Sequence, residues 1–83
     1  MGVDIEFNLS AFKHGLTEEN IRYVLNYPCY EGPLEGDEEK ILVIGFDDSG
    51  RLLEILYNII DNKLINVFHA MKCQNIYFHL LDV

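Results

Sequence analysis

Apolar and polar positions alternate or cluster along this chain in a series of distinct stretches. Val3, Ile5 and Phe7 alternate with Asp4 and Glu6, the period-two pattern of a short strand with one wet face, which belongs at a sheet edge. A turn over Ser10 to His14 leads to Gly15-Leu16-Thr17-Glu18-Glu19, a helix start. Thr17 is the cap, Glu18 and Glu19 meet the positive end of the helix dipole, and Leu16 staples to Ile21. Ile21, Val24 and Leu25 repeat at helical spacing, and Pro28 stops the helix at or before Tyr27. Cys29 to Glu39 reads as a short strand at Cys29 and Tyr30, then as a mobile loop punctuated by Gly32-Pro33 and Gly36-Asp37.

Lys40 to Phe46 is a nearly unbroken apolar run, the mark of a strand covered on both faces and central in its sheet. Asp47-Asp48-Ser49-Gly50 turns the chain into a second long strand, Arg51 to Ile60, and Asp61-Asn62-Lys63 turns it into a third, Leu64 to Met71. Two tight turns between three strands make an antiparallel meander. Ile76, Tyr77, Leu80 and Leu81 share a helical face, so a short terminal helix closes the chain against the sheet. The expected fold is α+β: a small antiparallel sheet, a three-strand meander plus an N-terminal edge strand, packed with two short helices. The 83 residues form one domain with one core.

Composition narrows the function classes. The chain is 49% hydrophobic, as folded globular chains are, with no apolar run long enough to span a bilayer and no secretory leader pattern. Cys29 and Cys73 are too few for a disulfide framework and read as reduced thiols, which places the chain in the cytoplasm with no membrane association. His14, His69 and His79 lack metal-ligand spacing, so neither a metal nor a cofactor is expected.

Fourteen acidic against six basic side chains give a formal charge of −8, which disfavours general affinity for nucleic acid. The acids concentrate, however, in Glu31, Glu35, Asp37, Glu38 and Glu39, a segment suited to a basic protein partner, while Lys13, Arg22, Arg51 and Lys72 lie elsewhere and leave room for a local cationic site.

The side chains with chemical potential are few. His69, placed by strand alternation on the face of Ile65, Val67 and Met71, is either a packing residue or an acid–base group titrating near neutrality. Arg51, fixed by the turn before it, is either a solvated charge paired to Asp47 or Asp48 or a phosphate clamp. Lys13 and His14 precede the capped helix, whose first N–H groups favour an anion.

Several of these pieces resemble the BrnT-type toxins of bacterial toxin–antitoxin pairs, small members of the RelE-like ribonuclease group. They are Lys13-His14-Gly15 before a short helix, Ile44-Gly45 ending a strand, Gly50-Arg51-Leu52-Leu53 opening the next, and Val67-Phe68-His69-Ala70-Met71 closing the last. Together they span most of Phe12 to Lys72 in the family's order. The resemblance implies a RelE-like fold, metal-independent cleavage of RNA, and inhibition by a cognate antitoxin. On it, His69 and Arg51 are the catalytic pair, while Lys13, His14 and Lys72 bind substrate. The family's last strand typically ends Ser-Ala-Arg where this one reads His69-Ala70-Met71, so His69 or Lys72 stands in for that arginine. The competing expectation is a non-catalytic protein-interaction domain of the same fold, and a small core also gains from self-association into a homo-oligomer.

Overall fold

The computed structural model describes residues 3–81. Five strands, β1 (Asp4–Phe7), β2 (Tyr30–Leu34), β3 (Asp37–Phe46), β4 (Leu52–Asp61) and β5 (Leu64–Lys72), form one sheet in the order β1-β5-β4-β3-β2. β2 to β5 run antiparallel, whereas β1 lies parallel to β5. The sheet is therefore mixed and has five strands, two features that the expected meander lacked.

One helix, α1 (Glu18–Asn26), follows the first strand through a 3-10 turn at Leu9–Phe12. Its start is a capping box: Thr17 Oγ1 accepts the Asn20 N–H, and Asn20 Oδ1 accepts the Thr17 N–H. Tyr27 caps its end just before Pro28. The terminal element is a 3-10 helix, Asn75–Leu80.

The segment read as a mobile loop is mostly strand. β2 pairs with β3 from Tyr30 to Leu34, and Gly36, at φ 89°, turns the hairpin between them. Gly32 and Pro33 obscured this in the sequence. Pro33 is tolerated because β2 is an edge strand, where a missing N–H need not break a ladder, and the register shifts beside it.

Each face of the sheet has its own core. On one side Ile21 and Val24 of α1, with Ala11 and Leu16, pack on Val43, Leu53, Ile55, Val67 and Ala70. On the other, Tyr77, Leu80 and Leu81 of the terminal segment pack on Leu42, Ile44 and Cys73. β3 serves both cores, which explains its unbroken apolar run.

β5 contains a bulge that overturns the expected placement of His69. Leu56 pairs with His69 while Tyr57 pairs with Val67, so Phe68 is the extra residue. Strict alternation would set His69 beside Val67. The bulge instead sends Val67 and Ala70 to the α1 face and His69 to the opposite face, beside Leu42 and Leu56. It is held from outside: the Asn8 N–H donates to Val67 O, and the Ser10 hydroxyl donates to Phe68 O. These bonds carry the chain leaving β1 along the second half of β5.

Among the described residues no helix is long and apolar enough to cross a membrane.

Candidate functional site

A concavity of about 340 Å³ opens where the first 3-10 turn, the start of β4 and the end of β5 meet. His14, Arg51 and Lys72 line it, over an apolar floor that includes Leu16, Cys73 and Phe78. The tie between the first 3-10 turn and β5 brings His14 here, and Gly15, at φ 83°, then reverses the chain into α1. Two cationic side chains and an imidazole around one hollow form a local basic site in an acidic chain. Arg22 and Lys40 are paired elsewhere, to Glu18 and Asp37.

Arg51 is positioned by the turn before it. The Asp47 carboxylate, whose side chain is fully buried, accepts the backbone N–H groups of Ser49 and Arg51 at 2.9 and 2.8 Å. It also accepts the Arg51 guanidinium through Nε and Nη2, each at 2.8 Å. Burial pushes this carboxyl up, but the accepted N–H bonds and the guanidinium outweigh burial and hold it below its ordinary value. The pairing to Asp47 anticipated from the sequence is thus present. It occupies two of the five N–H donors of a guanidinium, and three remain. The loop is tied to α1 in turn, because Asn20 Nδ2 donates to Asp48 Oδ1 at 3.0 Å.

His69 does not line the concavity but stands against it, its ring edge-on to that of His14 with centroids 5.8 Å apart. Its Nε2 lies 2.9 Å from Glu54 Oε2, and its side chain is 22% exposed against 1% for the glutamate. Glu54 gathers two further donors: Gln74 N at 2.8 Å to Oε1 and Gln74 Nε2 at 3.0 Å to Oε2. With three donors around it, a buried carboxylate is satisfied. With the Nε2 proton directed to Glu54, the other ring nitrogen of a neutral His69 is a hydrogen-bond acceptor. Burial and then the negative charge of Glu54 push the Cys73 thiol and the Tyr77 phenol upward, so both stay neutral beside it.

The structure thus brings His14, Arg51 and Lys72 together and sets His69 directly behind His14. Lys13 is exposed at the end of the first 3-10 turn and does not line the hollow. Among the described residues no group of three or more His, Cys, Asp or Glu side chains is placed to hold a metal ion. Glu54 and Gln74 escaped the sequence reading. The clearest missed signal is Glu54, one acid inside the apolar run Leu52-Leu53-Glu54-Ile55-Leu56, where an ionised group requires partners.

No family model, curated protein or solved structure matches this chain.

Proposed function

We propose that this chain is a toxin-type endoribonuclease of the RelE-like group, which cleaves RNA without a metal and is restrained by a cognate antitoxin. The observation that carries the reading is the convergence of His14, Arg51 and Lys72 on one hollow with His69 behind them. The motif resemblance supports it, since these residues fall within the motifs that resemble the toxin family or directly after them.

The chemistry needs a base, a cation for the charged phosphorane and an acid. The three free donors of Arg51 and the Lys72 ammonium bind the non-bridging phosphate oxygens. His14 takes the proton of the 2′-hydroxyl, whose oxygen attacks phosphorus. The bond to the 5′-oxygen breaks, and the Lys72 ammonium, which lines the same hollow, gives a proton to that leaving oxygen. A 2′,3′-cyclic phosphate and a 5′-hydroxyl result. Glu54 holds His69, which backs the His14 ring, so both are positioning residues.

Expression in a bacterial host without a partner protein tests this. Growth arrest that is relieved by His14→Ala or Arg51→Ala is expected, and unimpaired growth at high expression of the parent chain contradicts the proposal.

A second reading, a partner-binding module of the same fold without catalysis, is favoured by one observation. The exposed acids Glu31, Glu35, Glu38 and Glu39 all lie on the β2–β3 hairpin, away from the cationic hollow, and suit a basic partner. Unimpaired growth together with salt-sensitive capture of a basic partner selects it.

A further inference from the structure

The sheet face that carries the terminal 3-10 helix is only partly covered. Its cross-strand rows read Phe46 with Leu52, Ile44 with Glu54 and Met71, Leu42 with Leu56 and His69, and finally Lys40 with Asn58 and Asn66. Tyr77, Leu80 and Leu81 pack toward the apolar rows, and the last row stays polar. That row borders a second concavity, of about 380 Å³, walled also by Phe68, Asp37 and Glu39. Asparagine is depleted in strands, where β-branched and aromatic side chains pack better, so two of them directly paired across neighbouring strands call for a reason.

Asn66 Nδ2 donates to Asn58 Oδ1 at 3.0 Å. That bond fixes both amides and leaves an N–H donor on Asn58 beside a carbonyl acceptor on Asn66. Every nucleobase carries an adjacent acceptor and donor on its edge, the complement of this pair. Phe68, the bulged residue, supplies a half-buried ring next to them. The Lys40 ammonium lies 5.7 Å from the centroid of that ring and is paired to Asp37, but both partners are 44% exposed, so the pair is weak and the ammonium can swing aside.

We propose that Phe68, Asn58 and Asn66 form a nucleobase subsite, in which the ring stacks on the base and the two amides read its edge. The inference rests on the RNA reading above and adds to it how the substrate is chosen. The Asn58–Asn66 row lies five residues along β4 from Leu53, roughly 16 Å at about 3.3 Å per residue, so a base seated here belongs to a nucleotide next to the one that is cleaved. The two hollows differ in charge. Asp37 and Glu39 repel phosphate from the second, while Arg51 and Lys72 attract it to the first.

The test is a titration of the isotope-labelled full chain with the four uncharged ribonucleosides and with ribose alone, following the side-chain amide signals of Asn58 and Asn66. Saturable shifts with at least one nucleoside and none with ribose are expected, and Phe68→Leu, a volume-tolerant change at a half-buried site, should weaken binding about tenfold. Asn66→Ser provides a second variant with the same expected direction. Absence of any shift with all four nucleosides, or equal shifts with ribose, overturns the subsite. Nucleoside binding by a chain that leaves RNA intact upholds the subsite while refuting the nuclease reading. Cleavage whose base preference is unchanged by Asn66→Ser refutes the subsite alone.

Discussion

Glu54 and His69 are joined across β4 and β5 by a 2.9 Å contact in which the carboxylate is 1% exposed. A bulge one residue before the histidine makes this possible, because without it the imidazole would face α1. The two side chains depend on each other: Glu54 needs donors where water does not reach, and His69 needs an acceptor to fix its proton.

Replacing Glu54 by Gln keeps the shape and removes the charge. The new amide turns N–H groups toward donors on His69 and Gln74, and the expected loss of stability is about 1–3 kcal/mol. Urea denaturation measures it. His69 is expected to move its proton to Nδ1, so that Nε2 can accept from the new amide, a change visible in its nitrogen spectrum.

Asp47 sets an acid limit on stability. Its folded pKa lies below its unfolded value, so the unfolded chain takes up the proton first and stability is lost as pH falls through the folded value. Asp47→Ala is expected to cost about 1–3 kcal/mol at neutral pH, since the Ser49 and Arg51 N–H groups lose their acceptor. The gap between parent and variant should close as pH drops below the ordinary carboxylate range. Arg51→Ala should cost less, under about 1 kcal/mol, because the guanidinium is half exposed.

Three groups set the opposite limit. Burial is the main cause that raises Cys73, Tyr77 and Tyr57, aided by Glu54 for the first two and by the hydrogen bond to Glu31 for Tyr57. The folded chain holds these protons longer than the unfolded chain, so stability falls as pH rises past the ordinary thiol and phenol values. Denaturation midpoints between about pH 7 and about pH 10 should decline. Thiol labelling at neutral pH should modify exposed Cys29 promptly and buried Cys73 only slowly.

At Gly45 the end of α1 comes close to the sheet. A β-carbon there would stand 3.1 Å from Val24 Cγ1 and 3.2 Å from the Tyr27 carbonyl oxygen. Gly45→Ala is expected to destabilise the fold by about 1–3 kcal/mol, read from the thermal midpoint.

Legibility in the sequence followed the range of the interactions involved. The Thr17 cap, the stop at Pro28 and the turns at Gly50 and Asn62 are local devices, and they could be read directly. The parallel pairing of β1 with β5 joins distant segments, and no local pattern announces it. β2 was hidden because Gly32 and Pro33 carry loop chemistry wherever an edge does not excuse them. Arg51 and His14 were legible as candidates from their local settings, the first after the turn at Gly50 and the second before the capped helix. The bulge at Phe68 was not, since the bonds that hold it come from Asn8 and Ser10, far away in sequence, and without it the face of His69 comes out inverted. Glu54 was in plain view as the one acid in an apolar strand, but only its tertiary partners reveal what it holds.

The central claim is that His14, backed by His69, acts with Arg51 and Lys72 on an RNA phosphodiester. The direct measurement is cleavage of a short RNA by the purified chain in a chelator, with product ends identified and a single 2′-deoxy substitution as control. Cleavage leaving 2′,3′-cyclic phosphate ends, blocked by the 2′-deoxy substitution and reduced about 10²–10⁴-fold by His14→Ala, is the predicted result. Intact RNA, or equal cleavage by parent and variant, would contradict it.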